Sequence, residues 1–236
     1  MSGKVALQPT YVLHVRPFRD TSAIVEALTA EHGRIALVAR GARSAQSRWR
    51  GVLEPFRSLL MSWSGRGEMY TLSGAEEAGV SRRLRGEALV SGFYVNELLL
   101  NLLGRNDPHP EIFAAYATAV QSLASDTDGE STLRLFEKRL LEGLGYGLSL
   151  ECDAVDGVPV APDAIYHYLI ERGAIPASTD AAVGVTVHGA TLLALHRENL
   201  DDPVARREAK QLMRAVLRHY LGGRVLRSRE LAGSGP

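Results

Sequence analysis

The fold of the N-terminal part is decided by residues 11–41, YVLHVRPFRDTSAIVEALTAEHGRIALVARG. Apolar and polar residues alternate over much of this stretch, and turn-forming residues interrupt it at Arg19-Asp20, Gly33 and Gly41. Alternation with a period of two is typical of strands that bury one face. The stretch therefore predicts three consecutive short strands joined by tight turns.

Two further β-rich segments follow at residues 53–63 and 68–79, with a turn at Gly65-Arg66-Gly67 between them. Five short strands in one small domain are typical of a closed or half-closed barrel, and the oligonucleotide-binding (OB) barrel has this strand number. We therefore predict an OB-fold barrel for residues 1–80. The Gly65–Gly67 segment also resembles part of a phosphate loop, but its position between two strands favours a hairpin turn.

Helical periodicity begins at Ser81, where apolar residues start to recur at spacings of three and four. Residues 151–180 are rich in glycine and proline and predict an irregular insertion, with a short hairpin around 165–175. The predicted fold class is therefore α+β, with the barrel followed by an all-α C-terminal domain over residues 81–236. The predicted helices cover residues 81–104, 110–124, 132–144, 186–199 and 202–221.

Charge is segregated along a chain that is neutral as a whole, with 27 basic and 27 acidic side chains. Residues 1–85 carry 13 basic and 7 acidic side chains, residues 86–200 carry 6 and 16, and residues 201–236 carry 8 and 4. Two basic ends favour a polyanionic partner. Only three basic residues are lysines, which suits phosphate binding because arginine offers a planar fork of donors. A GC-rich genome would give the same bias.

The most basic segment runs from residue 34 to residue 51 and contains a single tryptophan. Its glycine-bounded loop, from Gly41 to Gly51, predicts a flexible projection whose arginines bind phosphates without reading sequence. Trp49 either stacks on a base of a single strand or folds back as a lid on the barrel core. The DNA-binding residues predicted on the barrel are Arg34, Arg40, Arg43, Arg48, Trp49, Arg50 and Arg66.

The last helix carries a second cationic feature, opposite its apolar face. Four cations at spacings of three and four residues repel one another, and a bound polyanion would relieve that repulsion. The alternative is an ordinary solvated face. The DNA-binding residues predicted on this helix are Arg207, Lys210, Arg214 and Arg218.

The sequence contains no catalytic motif of the common hydrolase, nucleotide-binding or metalloprotease kinds. The seven histidines are scattered, and the single Cys152 excludes an internal disulfide. The nearby acids Asp153, Asp156 and Asp163 favour a solvated loop over a nuclease site. We predict no catalytic residue, no metal and no cofactor. The N-terminus predicts no signal peptide, and the longest apolar region is interrupted by polar residues, which predicts a cytoplasmic protein without a membrane span.

Several segments resemble, in order, the bacterial RecO family of recombination mediators. Residues 11–44, 51–60 and 65–76 are similar to its N-terminal barrel, and residues 91–103, 133–148 and 219–231 to its helical domain. The resemblance implies a nucleoid-associated, non-catalytic protein that binds single- and double-stranded DNA and anneals complementary strands. It also implies work with RecR and RecF to load RecA onto DNA coated by single-strand-binding protein. We also expect a monomer.

Two further expectations depend on this resemblance. Many family members hold a four-cysteine zinc site after an LGY motif, whereas here only Cys152 follows Gly145-Tyr146-Gly147, so we expect no zinc. The family also binds the acidic C-terminal tail of single-strand-binding protein, which requires an apolar groove with a cationic rim. Helix 132–144 is the predicted place, although ordinary core with a solvated rim explains the same pattern. The residues are Arg134, Leu135, Phe136, Lys138 and Arg139.

Two other functions stay open from the residues alone. A protein adaptor would use its arginines for solubility or for acidic partners, and would have no affinity for DNA at moderate salt. A metal-dependent nuclease would release products only with a divalent ion.

Overall fold

The computed structural model describes residues 3–79, 83–125, 128–177 and 184–228. The chain forms two compact units, one of residues 3–125 together with 226–228 and the other of residues 128–225. The predicted domain boundary at residues 80 and 81, and residues 178–180 of the predicted insertion, lie outside the described residues.

The first unit is built on a closed barrel with the strand order β1-β2-β3-β5-β4. Strand β3 pairs in parallel with β5, and the other neighbours are antiparallel, including the β1–β4 pair that closes the barrel. This confirms the predicted OB-type barrel. The strands are β1 (Gly3–Phe18), β2 (Ser22–Thr29), β3 (Gly33–Ala39), β4 (Ser58–Gly65) and β5 (Tyr70–Glu77).

Two strand boundaries differ from the prediction. Strand β1 begins at Gly3 instead of residue 11, because its first half pairs with β4 and its second half with β2. Residues 53–57 belong to the loop before β4. Strand β2 is buried at every position after Ser22, since its inner face lines the barrel and α2 (Pro110–Ala124) contacts the strand from outside.

A buried amide joins the barrel to α1 (Gly86–Leu102) and α2. The Nδ2 of Asn96 donates to the Leu13 carbonyl over 2.8 Å, and the Tyr116 hydroxyl donates to the Asn96 Oδ1 over 2.7 Å. Burial raises the pKa of Tyr116 well above its ordinary value, so the hydroxyl stays a donor. These hydrogen bonds satisfy polar groups that would lower the free energy of unfolding if they were left unpaired in the core.

The chain returns to the first unit at Leu226 and is anchored there by one carboxylate. The Oε2 of Glu97 on α1 accepts the backbone N–H and hydroxyl of Ser228, and its Oε1 accepts the backbone N–H of Arg227, over 2.6–2.9 Å. Burial alone would raise the pKa of Glu97, but the bonds from Ser228 and Arg227 outweigh it and hold the pKa below its usual value.

Replacing Glu97 by glutamine is expected to lower the free energy of unfolding by about 1 kcal/mol at neutral pH. Because the folded-state pKa lies below the unfolded value, the contribution of Glu97 is present above pH of about 4.3 and is lost as the pH falls through the folded pKa. Urea unfolding of both proteins at pH 7 and at a series of pH values falling below about 4.3 measures this. A difference that stays the same throughout the series would contradict the role of the carboxylate charge.

The second unit is mainly helical. Its helices are α3 (Gly129–Gly143), α4 (Gly189–His196) and α5 (Pro203–Tyr220). Helix α3 begins earlier than predicted because Asp128, and not Ser131 or Thr132, accepts the N–H groups of its first turn. Helix α5 is capped by Asp202 with Pro203 in its first turn, as predicted. No described helix combines the length and the hydropathy needed to cross a membrane.

The segment predicted as an irregular insertion contains part of a small antiparallel sheet with the order β7-β6-β8. The predicted hairpin is present as β6 (Ile165–Leu169) and β7 (Gly173–Pro176). The third strand, β8 (Val185–His188), corrects the prediction that helix begins at residue 186. Its backbone pairs with β6 instead, so the predicted all-α domain includes a sheet.

Candidate nucleic-acid interface

The loop between β3 and β4, residues 40–57, carries most of the predicted barrel contacts and is called the arginine loop below. Trp49, at its centre, is only 5 % exposed and belongs to the barrel core. Its Nε1 donates to the Arg40 carbonyl over 3.1 Å, and the Arg48 guanidinium lies 4.2 Å from the ring centroid. Trp49 is therefore a lid on the core. This corrects its prediction as a base-stacking residue, because its ring is buried.

Three arginines fasten the arginine loop to the barrel. The Nη1 of Arg43 donates to the Arg19 and Asp20 carbonyls over 3.2 and 3.4 Å, in the turn between β1 and β2. The Nη2 of Arg48 donates to the Ser73 carbonyl of β5 over 3.3 Å. The Nη1 of Arg57 donates over 2.6 Å both to the Gly51 carbonyl and to Glu77 of β5. The predicted flexible projection is thus a loop held at three places.

Arg40 and Arg50 are exposed on either side of Trp49. Within the residues that the structure describes, neither side chain has a hydrogen bond or an ion pair. Arg66 is also exposed, in the hairpin turn between β4 and β5, where the sequence predicted a turn. These positions keep the exposure that phosphate binding requires.

Arg19 was not predicted and lies in the turn to which Arg43 is bonded. Its side chain is exposed, and its guanidinium lies 5.1 Å from the centroid of the Phe18 ring. Sequence alone shows an arginine beside an aspartate in a turn, which gives no sign of its distance to the loop. Backbone pairing of β1, β2 and β3 places that turn and the arginine loop at the same end of the barrel.

Arg34 does not have the exposure that its predicted role requires. It is half-buried on β3, and its Nη1 donates over 2.6 Å to the Leu100 carbonyl in the last turn of α1. Burial lowers its pKa, while the carboxylate of Glu26 opposes the shift. A cation at the C-terminus of a helix is favourable because the last carbonyls lack partners within the helix. Arg34 is therefore corrected to a residue that attaches α1 to the barrel.

On α5, the structure leaves three of the four predicted cations exposed. Arg207, Arg214 and Arg218 are exposed on the face opposite the buried one. Lys210 forms an ion pair with Glu130 of α3 and is half-buried. The row of cations on α5 is therefore interrupted at Lys210. This lysine helps to attach α5 to α3 and is not available to bind a polyanion.

The predicted tail-binding residues of α3 do not form an open groove. Arg134 and Phe136 are buried, and Arg134 forms an ion pair with Glu137 over 2.5 Å. Lys138 and Arg139 both bond to Glu198, and those bonds, from Arg139 foremost, lower the pKa of that carboxylate. These contacts favour the alternative of ordinary core, although the cations at its rim are paired with acids and not only solvated. Leu135 and Arg139 alone of the predicted set are half-buried, so tail binding on α3 stays a prediction.

One carboxylate among the nearby acids Asp153, Asp156 and Asp163 has a structural role. The Oδ1 of Asp153 accepts the backbone N–H groups of Val155 and Asp156 over 2.9 and 2.7 Å, and these bonds lower its pKa. The adjacent Cys152 is exposed. Asp153 therefore shapes a turn, as the solvated-loop interpretation predicted.

The barrel order and the appended helical unit define the class of this protein: an OB-fold protein with a C-terminal, mainly helical region. Family models described as Recombination protein O N terminal and Recombination protein O C terminal match residues 1–79 and 83–230. The chain belongs to the RecO family, and its role is in DNA repair and recombination.

Similar proteins bear the name DNA repair protein RecO. That of Methylococcus capsulatus is 47% identical over 229 residues, covering 97% of this chain and 93% of that protein. That of Dechloromonas aromatica is 48% identical over 236 residues, with 98% and 96% covered. That of Halorhodospira halophila is 51% identical over 227 residues, with 95% of each chain covered. The likeness thus spans both units.

Proposed function

We propose that this protein is a non-catalytic DNA-binding recombination mediator. It binds single- and double-stranded DNA, anneals complementary strands, and with RecR helps to load RecA onto DNA coated by single-strand-binding protein. The observation that carries the proposal is that each unit exposes arginines with no side-chain partner among the described residues. Among the predicted DNA contacts, these are Arg40 and Arg50 on the barrel, and Arg207, Arg214 and Arg218 on α5.

The mechanism is electrostatic and needs no bond-making residue. Guanidinium groups that contact phosphates release condensed counterions, which gives affinity without base recognition. Cations that neutralise two strands at once also reduce the repulsion between them, and base pairing then completes annealing. The exposed arginines meet this requirement because each is an exposed, permanently charged fork of donors.

The spacing of the arginines along α5 supports a contact with the phosphate backbone of DNA. Arg214 and Arg218 are one helical turn apart, about 6 Å along the axis, and like charges at this spacing destabilise a helix by a few tenths of a kcal/mol. Lys210 is compensated by Glu130, whereas these two arginines have no described partner. A bound phosphate would supply the missing compensation.

The partner proposals come from family membership. We propose that this protein binds RecR and the acidic tail of single-strand-binding protein. We also propose that it is a monomer. On α3, the half-buried Leu135 and Arg139 would be the accessible anchors, since Phe136 is in the core. Pull-down with a peptide carrying that acidic tail tests this, with Arg139→Ala expected to weaken capture and Arg172→Ala, in the same unit, expected to leave it unchanged.

Replacing both Arg214 and Arg218 by alanine is expected to reduce the steepness of salt dependence. Each lost phosphate contact on single-stranded DNA removes about 0.7 from the slope of log affinity against log salt, so the double variant loses about 1.4. Fluorescence anisotropy of a labelled oligonucleotide at a series of salt concentrations measures this. The matched control is Arg172→Ala with Arg197→Ala, which removes two exposed charges from the same unit and is expected to retain the slope.

Annealing tests the whole proposal. Two complementary labelled oligonucleotides, bare and coated with single-strand-binding protein, are mixed with the protein without nucleotide or metal. Annealing in both cases supports the mediator. An absence of DNA affinity at moderate salt would favour the adaptor, and cleavage products that require a divalent ion would favour the nuclease.

A further inference from the structure

We propose that the arginine loop divides its arginines between two roles, with Arg40 and Arg50 as the phosphate-binding pair and Arg43, Arg48 and Arg57 as positioning residues. This inference rests on the proposed DNA binding and assigns it to particular side chains. The sequence-based prediction assigned DNA contact to Arg40, Arg43, Arg48 and Arg50 of the loop without such a division.

The positioning role follows from what the three guanidinium groups contact. Each donates to at least one backbone carbonyl, on the β1–β2 turn, on β5 or within the loop itself. A carbonyl is a fixed, neutral acceptor, so these bonds set the position of the loop and leave its net charge unchanged. Arg57 is also ion-paired with Glu77, and Glu54 lies 3.3 Å from its Nε. Its charge is therefore already compensated by acids.

Arg48 combines a ring contact with a hydrogen bond. Its guanidinium lies 4.2 Å from the centroid of the Trp49 ring, while its Nη2 donates to the Ser73 carbonyl. Stacking on an aromatic face and an edgewise hydrogen bond together require a planar, delocalised cation. Lysine would keep the charge but would lose this combination of contacts.

Trp49 connects Arg48 to the binding pair, Arg40 and Arg50. Its indole N–H donates to the Arg40 carbonyl over 3.1 Å, and Arg50 is the next residue in the chain. The buried ring therefore fixes the backbone at both arginines before any ligand arrives. Fixing two cations in advance reduces the conformational entropy lost on binding, which is how preorganisation raises affinity.

Substitution by lysine separates the two roles. A residue that only supplies charge to a phosphate tolerates lysine, whereas a residue that stacks and bonds edgewise does not. We expect Arg50→Lys to keep the wild-type salt slope, because the slope depends on the number of phosphates neutralised, and Arg50→Ala to reduce the slope for single-stranded DNA by about 0.7. Arg48→Lys and Arg48→Ala are expected to weaken binding equally, by about threefold to tenfold, since charge alone does not restore the position of the loop.

A measurement without DNA accompanies the binding series. The chain has two tryptophans, and Trp63→Phe leaves Trp49 as the single reporter. In that background, Arg48→Lys and Arg48→Ala are expected to raise acrylamide quenching and to shift Trp49 emission to the red, while Arg50→Ala leaves both unchanged. If Trp63→Phe impairs folding, the same comparison is made with both tryptophans present, because Trp63 is 2 % exposed and gives a constant background.

The outcomes are distinguishable. Wild-type affinity in Arg48→Lys would overturn the positioning role of Arg48, because it would show that only charge matters there. An unchanged salt slope in Arg50→Ala would overturn the assignment of Arg50 as a phosphate contact. If the unsubstituted protein shows no salt-dependent binding, the proposed function itself fails and the division of roles fails with it, whatever the fluorescence shows about the loop.

Discussion

Replacing Trp49 by alanine is expected to lower the free energy of unfolding of the first unit by about 3–5 kcal/mol. The ring is 5 % exposed and belongs to the same buried core cluster as Leu37 and Leu72 of the barrel. Alanine would leave a cavity at the end of the barrel and would free the Arg40 carbonyl, which the indole N–H now satisfies. Urea unfolding monitored by circular dichroism measures the change.

Phenylalanine at position 49 is the matched control. It keeps most of the buried ring area and removes only the N–H donor, so the expected loss is about 1–2 kcal/mol. A different result would restore the base-stacking alternative: full stability in Trp49→Ala together with a loss of affinity for single-stranded DNA equivalent to roughly 1–3 kcal/mol per base. The two readouts therefore separate a lid from a stacking platform.

The barrel was predictable from the sequence because its signal is local. Alternation and turn residues within residues 11–41 are sufficient to predict β2 and β3, and the later turn at Gly65 predicts the β4–β5 hairpin. The early start of β1 was not predictable, since residues 3–5 are strand through their pairing with residues 63–65 of β4. Likewise β8 follows from its pairing with β6, since the alternation in its four residues is too short to predict a strand by itself.

The candidate site was predictable in its charge but not in its contacts. Every arginine of the loop is visible in the sequence, yet nothing there shows that Arg34 donates to the Leu100 carbonyl, 66 residues away. The same holds for Arg48 and Ser73, and for Lys210 and Glu130. Which cations remain available to phosphates is decided by such tertiary partners, and residue type alone does not specify them.

Replacing Gly33 by alanine is expected to destabilise the first unit by about 3–5 kcal/mol. Gly33 has φ +65°, and a Cβ built there would lie 2.0 Å from the backbone oxygen of Asp107. Backbone cannot rotate away as a side chain does, so β3 or the segment after α1 must move. That movement would disturb the bond from the Asn106 N–H to the Arg34 carbonyl, which is 2.9 Å long. Thermal and urea unfolding measure the loss.

The loss in Gly33→Ala has two causes, the left-handed backbone conformation and the close approach of the Asp107 backbone, and Gly51→Ala separates them. Gly51 has φ +71°, close to that of Gly33, but nothing lies within 4 Å of its would-be Cβ. It therefore carries the penalty of a left-handed backbone alone, about 1–2 kcal/mol. The excess loss in Gly33→Ala then measures the close approach of the Asp107 backbone to the barrel. Equal losses in the two variants would show that this approach relaxes at little cost, and that α1 is attached to the barrel chiefly through Arg34 and Asn96.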